Sequence, residues 1–169
     1  MTQPDGRIRS FGPIVGDKSR LLILGTAPSI ASLQQGIQYG HPRNAFWPIV
    51  CELAGIDVKD GFDVRRKALP QRGLALWDVI ESCLRPGSLD SAIREVVIND
   101  FDTLWKDYPS IKAVCCNGKT AQKLFLKHVE LPDDVKYLGG LPSTSPAYTM
   151  PFEEKRRIWR DMLLPYIRQ

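Results

Sequence analysis

The segment Leu21-Leu-Ile-Leu-Gly-Thr-Ala-Pro-Ser29 constrains this chain more than any other. Four consecutive apolar residues offer no polar face to water, so the run reads as a strand covered on both sides. Gly25 then ends it in a turn, and the polar segment His41-Pro-Arg-Asn-Ala-Phe-Trp47 leads into an apolar helix. Ligands of open α/β sheets bind outside the carboxyl ends of the strands. An amide, an arginine and a histidine are thereby placed near a ligand-binding edge.

The rest of the chain fits such a sheet. Leu74-Ala-Leu-Trp77, Ile111 to Cys116 and Val135 to Leu138 read as further strands. Residues 45–54 carry Phe46, Trp47, Val50, Leu53 and Ala54 at one-face helical spacing, with Gly55 as the stop. Helices are also predicted from Phe101 to Tyr108, after Asn117-Gly118, and from near Pro151. Strands alternating with helices predict an α/β fold, three layers deep, around a mainly parallel four-stranded sheet. Residues 1–19 mix Gly, Pro and charge, and are expected to form an irregular leader to one domain spanning 1–169.

Composition acts mainly by exclusion. A formal net charge of +4 permits an anionic polymer as partner without requiring one. The apolar stretches are too short to cross a bilayer and the start lacks signal-peptide character, so a soluble cytoplasmic protein is expected. The four cysteines form no C-x-x-C pair, and Cys115 and Cys116 should point to opposite faces of a strand. Reduced structural thiols are therefore expected, with no metal site. Neither a phosphate loop nor a G-x-G-x-x-G turn is present, so no cofactor is expected. Glu52, Asp78, Glu81 and Asp102 form no persuasive carboxylate pair in the sequence.

The remaining polar positions each carry two readings. Asn44 directly precedes a helix and is a good N-cap, yet a helix start also suits an anion or an oriented water. Asn117-Gly118 is an ordinary turn dipeptide whose amide could also read a base edge. Leu141-Pro-Ser-Thr-Ser-Pro-Ala147 is a rigid turn whose hydroxyls and N–H groups could hold phosphates. Tyr148 and Met150 could wedge into a base stack or anchor the final helix. Lys155, Arg156, Arg157 and Arg160 read as a solvated face or a phosphate-facing surface.

Taken in order, Gly25-Thr-Ala-Pro-Ser29, His41-Pro-Arg-Asn-Ala-Phe-Trp47, Asn117-Gly118 and Leu141-Pro-Ser-Thr-Ser-Pro146 resemble the motifs of the uracil-DNA glycosylase superfamily. Ala31-Ser-Leu33, Gln38-Tyr39, Leu76-Trp-Asp-Val79 and Arg85-Pro-Gly-Ser-Leu89 resemble its hypoxanthine-DNA glycosylase branch. The chain departs from the classical uracil enzymes at Ala27, where they carry an aspartate, and at Leu141, where they carry a histidine. The resemblance implies a monomeric glycosylase acting on DNA with deaminated bases, with Asn44 as the catalytic residue. It implies base or leaving-group contacts from Gly25, Thr26, Ala27 and Asn117. Tyr39 or Phe46 would stack on the base, and His41 would donate to it. Arg43, Ser143, Thr144, Ser145 and Tyr148 would face the DNA. Three alternatives remain: a uracil or broad-specificity glycosylase, a non-catalytic DNA- or nucleobase-binding module, and a structural domain whose basic helix binds a protein.

Overall fold

Four strands form a parallel sheet in the computed structural model, which describes residues 5–168. They are β2 (Leu21–Gly25), β3 (Leu74–Asp78), β6 (Ala113–Asn117) and β7 (Lys136–Leu141), in spatial order β3-β2-β6-β7. β2 pairs with β3 from Leu21 opposite Leu74 to Gly25 opposite Asp78, and with β6 from Leu21 opposite Ala113. The chain runs from β2 to β3 on one side and later returns to β6 on the other. That reversal of strand order opens a crevice at the carboxyl ends of β2 and β6.

Alternation along the strands separates two apolar layers. Leu21, Ile23, Leu74, Leu76 and Cys115 face α2 (Phe46–Ala54), α3 (Phe62–Gln71) and α6 (Phe152–Leu163). Leu22, Leu24, Ala75, Val114 and Cys116 face α4 (Phe101–Asp107) and α5 (Lys119–His128). The adjacent cysteines therefore do lie on opposite faces, and all four cysteines are buried free thiols. The helix at residues 45–54 starts at Phe46 and stops at Gly55, whose φ of 70° is the left-handed conformation that glycine adopts cheaply.

The leader departs from the sequence expectation. Residues 1–4 lie outside the described residues, but Ile8–Arg9 forms β1 and Ile14 bridges to Leu76. β1 pairs antiparallel with β4 (Ile80–Leu84), which pairs with β5 (Arg94–Ile98) in a second, three-stranded sheet. Ile8 packs on Ile80 and Cys83 in a small core of its own. A two-residue strand carries no periodicity, and β4 and β5 meet through register shifts, so neither gives a clean alternating pattern. α1 (Ile30–Gln35) and α3 were likewise unanticipated. The first is six residues long, and the second is charged and carries Pro70 inside its last turn. Among the described residues no helix is long and apolar enough to cross a membrane.

Candidate active site

The crevice at the switch point holds a cavity of about 310 Å³. That is a small-ligand size, room for one flat heterocycle rather than a large cofactor. Gly25, Thr26 and Ala27 enter it from the end of β2, Asn117 from the end of β6, and Asp78 from the end of β3. Tyr39 and Asn44 come from the loop between α1 and α2, and Ser143, Thr144, Ser145 and Tyr148 from the loop after β7.

Three loops are tied together by specific hydrogen bonds. Ala45 N–H donates to the Thr144 carbonyl at 3.0 Å, joining the start of α2 to the loop after β7. Asn117 is 8% exposed; its Nδ2 donates to Thr144 Oγ1 at 2.9 Å and its Oδ1 accepts from Thr144 N–H at 3.0 Å. Buried Arg85, just beyond β4, donates from Nη2 to the Pro28 carbonyl at 2.6 Å and from Nε to the Gly87 carbonyl at 2.7 Å. It thus clamps the turn after β2 to the segment that carries Ser88, Leu89 and Asp90 into the cavity wall.

Asn44 serves its helix and still lines the cavity. Its Oδ1 accepts from Phe46 N–H at 2.9 Å, satisfying one of the free amides of the first turn. A carbonyl oxygen has two acceptor sites, so one stays available. Ala45, not Asn44, is the N-cap residue of α2; Asn44, one residue earlier, closes a short turn onto Phe46 N–H while its side chain lines the cavity.

Tyr39 occupies a strained backbone position, with a φ of 55°. Non-glycine residues rarely adopt it, at a cost of about 1–3 kcal/mol, and such strain concentrates at functional sites. Here it lays the Tyr39 ring on Phe46, with centroids 4.1 Å apart and planes 18° from parallel. The Tyr39 hydroxyl is buried without a hydrogen-bond partner. Burial, then the neighbouring Asp78 charge, pushes its pKa above the ordinary tyrosine value against the opposing pull of the Asn117 amide beside it, so it stays neutral.

Asp78 faces the same point. A Cβ placed on Gly25 would lie 2.6 Å from Asp78 Oδ1 and 2.7 Å from the Tyr39 hydroxyl, so only glycine fits between them. Desolvation raises the Asp78 pKa from 3.8 to about 7, with the like charge of Asp90 adding and the Arg85 guanidinium opposing. The sequence marks this carboxylate only within the motif Leu76-Trp-Asp-Val79 and assigns it no role, because its partners Gly25, Tyr39 and Arg85 meet it only through the fold.

Not every residue singled out in the sequence reaches the cavity. Phe46 is fully buried in the core behind Tyr39. His41 and Arg43 lie on the surface side of the loop, where His41 Nδ1 accepts from Arg43 N–H at 3.1 Å, and neither lines the cavity. Lys155 is not a surface phosphate contact. It is 4% exposed and donates to the carbonyls of Ser145 at 3.2 Å and Tyr148 at 2.7 Å. Arg156 is engaged by Glu52 at 2.7 Å, while Arg157 and Arg160 are exposed. Among the described residues, no three His, Cys, Asp or Glu side chains cluster as metal ligands.

The cavity lies at the carboxyl ends of the strands beside the switch point, where open α/β sheets bind their ligands. The chain belongs to the uracil DNA glycosylase superfamily, whose family model matches residues 13–163. A hypoxanthine DNA glycosylase of Methanosarcina acetivorans is 35% identical over 114 residues, covering 67% of this chain and 72% of the relative. Its counterpart in Methanosarcina barkeri is 34% identical over 112 residues, covering 66% and 71%. A solution NMR structure of a protein assigned as a uracil DNA glycosylase from Methanosarcina acetivorans superposes with a TM-score of 0.72 at 29% identity, covering 92% of this chain and 98% of that one.

Proposed function

We propose that this chain is a monofunctional DNA glycosylase that hydrolyses the N-glycosidic bond of a deaminated base, hypoxanthine in deoxyinosine first, and leaves an abasic site. The observation that carries this reading is the convergence of Asn44 and Asn117 on one cavity at the carboxyl ends of β2 and β6. The names of the two Methanosarcina relatives support the choice of lesion.

A duplex hides the glycosidic bond, so the nucleotide must be extruded into the cavity, at a cost of a few kcal/mol that weakened pairing reduces. Tyr39, backed by Phe46, supplies a stacking surface for the base. Asn44 directs a water at C1′ through its spare acceptor site as the sugar takes on oxocarbenium character. A neutral amide is a poor base, so positioning and electrostatics supply most of the rate. The N–H groups near Thr26 and Ala27, with Asn117, receive charge on the departing base. Arg43, Ser143 and Ser145 hold the flanking phosphates; Thr144, 1% exposed and bonded to Asn117, positions that amide instead of facing DNA, and Tyr148, 42% exposed at the rim, fills the space the base vacates.

The test is alkaline strand cleavage of end-labelled duplexes carrying one deoxyinosine or one deoxyuridine, with wild type and Asn44→Ala side by side. Cleavage at deoxyinosine that disappears in a folded Asn44→Ala is expected. Cleavage only at deoxyuridine would keep the reaction and overturn the lesion. Binding without cleavage at either would favour a non-catalytic module.

A further inference from the structure

We propose that the Asp78 carboxyl, on the floor of the cavity, meets the O6/N7 edge of a flipped 6-oxopurine and hands its proton to the leaving base. The inference rests on the glycosylase reading above and names a catalytic group within it.

The placement comes first. Asp78 Oδ1 and the Tyr39 hydroxyl crowd the single position where Gly25 lacks a side chain. Gly25 and Asp78 lie at the strand ends that close the cavity, and Tyr39 reaches the same point from the loop between α1 and α2, whereas Ser143, Ser145 and exposed Leu89 and Tyr148 lie around its mouth. A base entering from the mouth reaches the strand ends first with its ring edge, while its sugar and phosphates stay outside. Asp78 therefore meets the base and not the water at C1′.

The hydrogen-bonding requirement comes second. The Tyr39 hydroxyl is buried beside the Asn117 amide and its ring is the stacking face, so Asp78 is the O–H donor that the floor offers to the edge of a bound base. On its N7 edge hypoxanthine, like guanine, presents two acceptors, O6 and N7, whereas adenine presents an acceptor and an N–H donor. A protonated carboxyl on that edge finds an acceptor at either position of a 6-oxopurine, whereas beside adenine one position sets it against another donor.

The protonation state is the third support. No cation offsets Asp78 fully: Asp90 faces it with like charge, Arg85 is the nearby cation but donates to the carbonyls of Pro28 and Gly87, and Tyr39 stays neutral. The carboxyl consequently holds its proton up to about pH 7. In the reaction, the C1′–N9 electron pair leaves with the base and the Asp78 proton passes to N7. Water oxygen bonds to C1′, and the proton that water loses restores Asp78 through solvent. Sum and charge balance as hydrolysis.

The experiment measures single-turnover excision from deoxyinosine duplexes between pH 5.5 and 9, for wild type and Asp78→Asn, and for wild type on 7-deazadeoxyinosine. The wild-type rate should fall tenfold per pH unit above about 7. Asp78→Asn should lose about 10²–10⁴-fold, the usual worth of a general acid, with a flat profile, while binding to undamaged DNA stays within about twofold. The 7-deaza substrate, which needs no variant to fold, should be slowed by a similar factor in wild type. An Asp78→Asn enzyme with wild-type rate and profile would remove the role while leaving the glycosylase intact. So would a wild-type rate that rises through neutral pH, or full activity on the 7-deaza substrate. Failure of wild type on every deaminated lesion would instead strike the underlying reading.

Discussion

Asn117 and Thr144 are joined by two hydrogen bonds across 27 residues of sequence, Nδ2 to Oγ1 at 2.9 Å and Thr144 N–H to Oδ1 at 3.0 Å. The pairing assigns the amide orientation, since a flipped amide would set N–H against N–H. It also consumes one donor and one acceptor, so Asn117 offers the cavity one remaining N–H and one remaining acceptor site. A loop after β7 therefore decides what a residue at the end of β6 can present to a base.

Thr144→Val keeps the side-chain shape and deletes the Oγ1 acceptor. A buried Asn117 N–H is then left unsatisfied, at a cost of about 1–3 kcal/mol. Urea unfolding should show that loss. Excision should slow by about tenfold, the equivalent of about 1.4 kcal/mol, as the amide is held by one bond only. An unchanged rate with lowered stability would mean that the orientation of Asn117 does not matter to the reaction.

Gly25→Ala tests the floor of the cavity. The backbone at Gly25 does not need the left-handed region, so the obstacle is crowding by Asp78 Oδ1 and the Tyr39 hydroxyl. Overpacking of this kind costs about 1–3 kcal/mol. The variant should melt several degrees lower and lose most excision activity, because both side chains must move. Binding to undamaged DNA, which draws on the rim and not the floor, should remain within about twofold. A wild-type excision rate would show that neither side chain contributes.

Asp78→Asn should change stability in a pH-dependent way. The carboxyl sits at about 7 when folded, against 3.8 ordinarily. Between those values the folded state binds more protons than the unfolded state, so wild-type stability falls as pH rises from about 4 to about 7 and is level above that. Asparagine removes this dependence. Relative to wild type, the variant should gain at pH 8 over its standing at pH 4, by at most about 4 kcal/mol at 1.36 kcal/mol per pH unit. Urea titrations at the two pH values check it, and an equal offset at both would count against a desolvated carboxyl. The same substitution is expected to slow excision by about 10²–10⁴-fold, so at pH 8 stability and activity would move in opposite directions.

The parallel sheet was readable because strands buried on both faces spell themselves as apolar runs, as Leu21–Leu24 and Ala113–Cys116 do. The small antiparallel sheet was not, because β1 has two residues, β5 buries none of its side chains, and β4 and β5 pair through register shifts that break the alternation. In the site, Asn44 and Asn117 stand out locally, as polar residues at a helix start and after an apolar strand. Asp78 does not, since one more acid in a charged chain is informative only once Gly25, Tyr39 and Arg85 surround it. Lys155 misleads for the opposite reason. It sits in the basic run Lys155-Arg-Arg157, yet helical geometry turns it inward while Arg157 faces solvent.

Lys155→Met separates anchoring from phosphate contact. The substitution keeps the unbranched chain that fills the buried site and deletes two charge-assisted bonds to the carbonyls of Ser145 and Tyr148. Burial lowers the pKa of this ammonium, so removing it also relieves a desolvation cost. Global stability should therefore shift by no more than about 1 kcal/mol. The Ser143–Tyr148 loop, however, loses its tie to α6 and should be cut faster by limited proteolysis. Affinity for lesion DNA should weaken several-fold while the single-turnover rate at saturation stays within about twofold. The salt dependence discriminates the two roles. A phosphate-contacting lysine would reduce the slope of log affinity against log salt by about 1 on removal. A buried anchor leaves that slope unchanged, which is the result expected here.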